Sequence, residues 1–207
     1  MTDLRLTQLA DHPSATTPEP FAGPDHPMRQ LTRAVAFGEP WTVEQSTRVT
    51  GVFDGLAPDW EERHVDPVKA VVVEDALERG LTPLNGDWLE CGTGTGAGAR
   101  VLGEQVDSIV CTDLSWEMLR RAPDSRPRLR ADASDLPFLD DTFDAVLLMN
   151  MLLFPSEMDR VLRPDGVIVW VNTLGDQTPI HLPPSDVLEA LPGTWTGTTA
   201  AAGTGFW

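Results

Sequence analysis

The chain contains no tyrosine at all, two cysteines and four histidines among its 207 residues. Without tyrosine, no contact or proton transfer can run through a phenolic hydroxyl. The two cysteines, Cys91 and Cys111, lie inside apolar runs, and no CxxC, HxxxH or Cys/His cluster occurs. That excludes a zinc-knuckle type of site and a disulfide framework; two buried reduced thiols suit a cytoplasmic protein. Positive charge is scarce: 15 Lys and Arg stand against 32 Asp and Glu, a formal net charge of −17. Such a surface repels phosphate backbones, so nucleic acid is excluded as the expected partner, and the acidity serves solubility. No apolar run is long enough to span a membrane. The start, MTDLRLTQLADHPSATTPEPF, lacks the basic-then-apolar pattern of a signal peptide. There are no internal repeats.

Against these absences stands a hydrophobic content of 41%, enough for one well-buried domain and a modest extension. Residues 1–41 carry Pro13, Pro18, Pro20, Pro24, Pro27 and Pro40 and read as a flexible arm with one short helical pattern at 28–37. Residues 42–65 give helical turns, interrupted at Pro58. Asp66-Pro67 then starts a helix that stops at Gly80. From there short apolar strands alternate with helices: DWLECG, AGARVLGEQ, DSIVCTD, SWEMLRRA, RPRLRADA, FDAVLLMN, SEMDRVL, GVIVWVNTL and PSDVLEAL. Continuous apolar strands alternating with helices predict an α/β fold, a doubly wound, Rossmann-like parallel sheet covered on both faces. TWTGTTAAAG and GTGFW read as a closing antiparallel pair, giving seven strands in all. The expected division is an arm (1–41), a helical lid (42–65) and a core (66–207).

The stretch WLECGTGTGAGARVL places glycine at 92, 94, 96 and 98, between a strand and a helix. A glycine-rich turn there lets backbone approach a ligand beyond the carboxyl end of the sheet, next to the free N–H groups of a helix start. Gly92, Gly94 and Ala97 also satisfy G-x-G-x-x-A, so the glycines alone do not choose between a dinucleotide and another nucleoside cofactor. The carboxylates around them are more selective. Glu90 immediately precedes the loop, where it would repel a pyrophosphate but can orient a network about an ammonium group. Asp113 ends the next strand, where a carboxylate can hold both hydroxyls of a ribose. Asp132 follows the third strand and can accept from an adenine amino group, with Leu114 and Met118 as apolar walls. A helix cap for Asp113, a turn role for Asp132 and a loop-tying role for Asn150 are the competing readings. An ammonium, a ribose and an adenine without phosphate describe S-adenosyl-L-methionine.

At this point ECGTGTG, CTDLSWEML, ADASDLPFLDDTFDAVLLMNML and RVLRPDGVIVWV, in that order, resemble the motifs of class I S-adenosylmethionine-dependent methyltransferases, in particular the small-molecule, methyltransferase type 11 branch. The resemblance implies cofactor contacts at Glu90, Gly92, Gly94, Gly96, Asp113, Leu114, Met118, Asp132 and Ala133. It implies that Asn150 faces the methyl donor or its acceptor. It also implies S-adenosyl-L-homocysteine as product and a small-molecule methyl acceptor, methylated by in-line displacement. In FDGLAPDWEERH, Trp60 stands where the family commonly has a tyrosine, and an aromatic face suits a cation. A base is needed only for a protonated nucleophile. Candidates are Asp54, Glu61, His64 and His181, with His64 in the covering segment preferred. Phe53, Trp60, Met151, Phe154 and His181 are the expected walls of the acceptor pocket. A catalytically silent cofactor-binding protein and an NAD-type oxidoreductase are the alternatives.

Overall fold

The computed structural model describes residues 5–64, 67–80, 82–103 and 105–207. The segment ahead of the sheet holds β1 (Leu6–Gln8), α1 (Pro27–Ala36), α2 (Val43–Leu56), a 3-10 turn (Ala57–Asp59) and α3 (Trp60–His64). The core follows as α4 (Pro67–Arg79), β2 (Asp87–Cys91), α5 (Ala97–Leu102), β3 (Ser108–Asp113), α6 (Trp116–Leu119), β4 (Arg128–Arg130), β5 (Phe143–Met149), α7 (Pro155–Val161), β6 (Leu162–Val171) and α8 (Pro184–Ala190). Three short strands close the chain: β7 (Gly197–Thr199), β8 (Ala201–Ala202) and β9 (Gly205–Phe206).

The central sheet is wholly parallel, in the order β4-β3-β2-β5-β6. The order reverses at β2, so the crevice beyond its carboxyl end is where a doubly wound sheet binds ligands. Strand alternation divides the core into two layers. Trp88, Ile109, Ala145, Leu147 and Val169 face α4 and α5, while Leu89, Val146, Leu148 and Trp170 face α1 and α7. Both faces are covered, which is why these strands read as unbroken apolar runs.

Among the described residues the central sheet has five strands and not the expected seven. The C-terminal segment is rich in Gly, Ala and Thr and supplies strands of only two or three residues. β7 pairs in parallel with β1, and β8 with β9 antiparallel. The link to the main sheet is one antiparallel bridge, Asn172 to Phe206. Beyond Val171 the Asn172 side chain bonds Ile180 O and Leu182 N.

Residues 5–41 are laid along the domain. Arg79 ties Ala10 O at 2.6 Å while gripping Asp75 through both carboxylate oxygens, and Asp75 also receives the Trp207 indole N–H at 2.7 Å. Arg29 donates to Ala22 O, Asp176 O and Thr178 O, which joins the start of α1 to the turn after β6. The helix α2 begins with a complete capping box, Thr42 and Gln45 satisfying each other's backbone N–H.

Candidate active site

A cavity of about 600 Å³ opens at the carboxyl ends of the strands. This is the size of a small-molecule or cofactor pocket. Its floor is the turn between β2 and α5, and its roof is α2 with Trp60. Its two ends are the segments after β3 and β4 on one side and after β5 and β6 on the other.

The glycines of the turn are not equivalent. Gly92, Gly94 and Gly96 all have positive φ, at 70°, 56° and 87°. A side chain on Gly92 would strike the Met151 sulfur, and one on Gly96 would strike Pro123. On Gly98 it would strike Glu90 and Leu147. A side chain on Gly94 would meet nothing within 4 Å, because it would project into the cavity. Gly94 is thus the residue that leaves room for a ligand, and Gly96 and Gly98 are glycines for packing. Gly96 does not line the cavity, contrary to its expected role as a contact.

Glu90 also departs from expectation. It shares a face of β2 with Trp88, so its side chain runs under the turn toward α5 and does not line the cavity. It is 1% exposed. One oxygen accepts from the Thr93 hydroxyl, while Oε1 lies against Gly98 without a hydrogen-bond partner. Burial pushes its pKa up to about 7, against the Thr93 hydrogen bond and with help from the nearby Asp113 charge. Glu90 is therefore a support for the turn.

Asp113 stands at the cavity. Its Oδ2 accepts from Gly94 N at 2.8 Å and its Oδ1 from Ser115 N at 2.7 Å. The helix that follows is capped by Ser115 and not by Asp113. Burial raises the Asp113 pKa, opposed by those backbone N–H groups, and the Asp54 charge adds to the rise. Leu114, Met118, Asp132 and Ala133 line the same end. Asp132 is held by Ser134, through both N–H and hydroxyl on Oδ1, and by the Trp41 indole N–H at 3.1 and 3.0 Å from its two oxygens.

Asn150 lines the other end in a left-handed conformation, φ 52°. Its side-chain amide both donates to and accepts from Thr173, tying the turns after β5 and β6 together. Phe53, Trp60, Met151 and Phe154 line the cavity, with Phe53 and Trp60 edge to face at 5.8 Å. His181 does not; it packs against the Phe206 ring and bonds Gly175 O. Of the other candidate bases, Asp54 accepts from the Ser115 hydroxyl and Glu61 pairs with Arg100. The His64 side chain lies outside the described residues.

Sequence reasoning missed the contribution of residues 1–41. Phe21, His26, Met28 and Trp41 all line the cavity. The available signal was Trp41 itself, a large apolar residue immediately before the capping box that begins at Thr42. His26 caps α1, its Nδ1 accepting from Met28 N at 3.2 Å.

A nucleoside ligand with a polar tail fits what is present. Gly94 leaves the required space, two carboxylates face it, and the Thr95 hydroxyl on the cavity wall is buried without a partner. Residues 89–170 match the family model described as a methyltransferase domain. Over that stretch the chain is similar to methyltransferase domains. Over 108 residues it is 37% identical to the demethylmenaquinone methyltransferase of Clavibacter sepedonicus, covering 45% of this chain and 44% of that one. Over 105 residues it is 34% identical to the malonyl-[acyl-carrier protein] O-methyltransferase of Geobacter sulfurreducens, covering 44% and 39%. The chain thus spans less than half the length of these relatives. Among solved structures, the DhpI–SAH complex matches with a TM-score of 0.51 at 25% identity, over 61% of this chain and 68% of that one. The [4+2]-cyclase SpnF shares the fold, with a TM-score of 0.52 at 23% identity over 61% and 59%.

No described helix of this domain is long and apolar enough to cross a membrane.

Proposed function

We propose that the protein is an S-adenosyl-L-methionine-dependent methyltransferase that methylates a small, partly apolar molecule and releases S-adenosyl-L-homocysteine. The observation that carries this reading is the pairing of Asp113 and Asp132 at one end of the cavity with the open backbone of Gly94 between them and the rest. A dinucleotide would bring a pyrophosphate to the same turn. Among the described residues the one Lys or Arg on the cavity wall is Arg100, and it is engaged by Thr95 O and Glu61. The fold alone does not decide the chemistry, since SpnF is a cyclase; the site residues must.

The cofactor supplies an electrophilic methyl group on a sulfonium. The chain's contribution is binding, alignment and exclusion of water. In this reading Asp113 accepts from the ribose hydroxyls and Asp132 from the adenine amino group, with Leu114 and Met118 beside the base. Phe53, Trp60, Met151 and Phe154 give the other end its apolar character, and α2 closes the roof. His64 is kept as the candidate base for an acceptor that carries a proton on its nucleophile. The relatives' names span demethylmenaquinone and malonyl-[acyl-carrier protein], so the acceptor is assigned by its size and apolarity alone.

Calorimetry with S-adenosylhomocysteine and with NAD tests the cofactor half of this reading. Binding of the first and not the second is expected; the reverse would overturn it. Appearance of S-adenosylhomocysteine in the presence of an acceptor panel tests the methyl transfer itself.

A further inference from the structure

The contact between Trp41 and Asp132 joins residues 91 apart in sequence. Trp41 precedes α2 and is half-buried on the cavity wall, with its ring edge-on to Phe154 at 5.6 Å. Its indole N–H points between the two Asp132 oxygens. The remaining donors to Asp132, the Ser134 N–H and hydroxyl, both go to Oδ1. Among the described residues Oδ2 therefore receives the indole alone, and it retains capacity to accept another hydrogen bond. A carboxylate free to rotate would lose that discrimination between its oxygens. Trp41 and Ser134 together hold it in one orientation, while Phe154 holds the indole.

We infer that Trp41 is a positioning residue for the cofactor's adenine: its N–H fixes Asp132 so that Oδ2 receives the exocyclic amino group, and its ring forms part of the wall around the base. This rests on the proposed cofactor reading and adds to it that the segment before α2 is part of the nucleoside site. Amino-group recognition then depends on a residue that does not itself bond the amino group. A fixed carboxylate favours a donor at that position of the purine and repels a carbonyl oxygen there. A site of this kind rejects the deaminated purine, because its acceptor would face another acceptor.

The test compares S-adenosylhomocysteine with S-inosylhomocysteine, which carries oxygen in place of the amino group, by calorimetry on the full chain. The unsubstituted protein is expected to prefer the adenine compound by at least tenfold. Trp41→Phe keeps the ring against Phe154 and removes the N–H. It should weaken the adenine compound three- to tenfold, change the inosine compound less than twofold, and so shrink the preference at an unchanged melting temperature. Equal weakening of both compounds would make Trp41 a packing residue only and overturn the inference, as would an unchanged preference. Trp41→Leu, which also lacks the donor, is the second variant, read the same way. Failure of both variants to fold would also overturn it, since Trp41 would then be structural. Binding of neither compound by the unsubstituted protein would sink the cofactor reading itself, a result distinct from loss of preference in the variants.

Discussion

Glu90 and Asp113 show how two carboxylates at neighbouring strand ends acquire different roles. Glu90 points into the layer between the sheet and α5, where burial raises its pKa to about 7. An acid raised above its unfolded value lowers folding stability as pH climbs from the unfolded pKa, near 4.5, to the folded one. The loss is complete above about pH 7 and amounts to roughly 2–4 kcal/mol. Glu90→Gln should therefore remove a fall in melting temperature between pH 4.5 and 7 that the unsubstituted protein shows. Thermal melts across that window check it, and parallel curves for both proteins would refute the assignment. Asp113→Ala tests the opposite kind of residue. Removing charge-assisted bonds to a ribose should cost about 1.5–3 kcal/mol, ten- to a hundredfold in affinity for S-adenosylhomocysteine. Unchanged affinity in calorimetry would leave Asp113 as a brace between Gly94 and Ser115. The position of Asp113 was legible in CTDLS, because a strand ending in a carboxylate one turn before a helix is a local pattern. The direction of Glu90 was half legible. Alternation puts it on the same face as Trp88, but only the later packing of α5 shows that this face lies away from the cavity.

At the scale of elements, the order from β2 to α8 could be read because each strand is an apolar run bounded by Gly, Asp or Pro. β1 could not: Leu6–Gln8 has no partner near it in sequence, and its pairing with β7 is settled nearly two hundred residues later. The helical character of residues 42–65, expected to act as a lid, was legible, but their attachments were not. Asp54 reaches the Ser115 hydroxyl and Glu117 N at the start of α6, beside Asp113, and Glu61 reaches Arg100. These ties connect α2 and α3 to the two segments that would hold the nucleoside. Ligand binding should accordingly slow amide exchange in α2 more than in α4, whose Val72, Val73 and Ala76 are already sealed in the core. Exchange mass spectrometry with and without S-adenosylhomocysteine reads this directly; equal protection changes in both helices would argue against a lid. Thr42→Ala should weaken the same closure by breaking the capping box, at a cost of about 1 kcal/mol in stability.

For the whole molecule, composition pointed away from a structural role for the first forty residues, since six prolines leave little regular backbone. The contacts they make are nevertheless distributed over the domain. Ala22, Thr32, Val35 and Ala36 are buried, and Val35 and Ala36 belong to the same core layer as Leu89 and Leu148. Burying a few side chains of this kind contributes on the order of 1–3 kcal/mol each, and the pairing of β1 with β7 adds to it. A domain of this size is commonly stable by only about 5–15 kcal/mol. Deleting residues 1–41 should therefore lower the melting temperature markedly, since it exposes the α1 side of the core and leaves β7 as a bare edge. It should also abolish nucleoside binding by opening one wall of the cavity. A shorter deletion, residues 1–20, removes β1 and the Ala10 tie to Arg79 but keeps Phe21, His26, α1 and Trp41. It should destabilise the fold while leaving affinity for S-adenosylhomocysteine within about threefold, because no residue on the cavity wall is lost. Melting curves and calorimetry on the two truncations separate the two contributions. If the long deletion melts and binds like the full chain, the segment is an appendage and the cavity is built by the core alone.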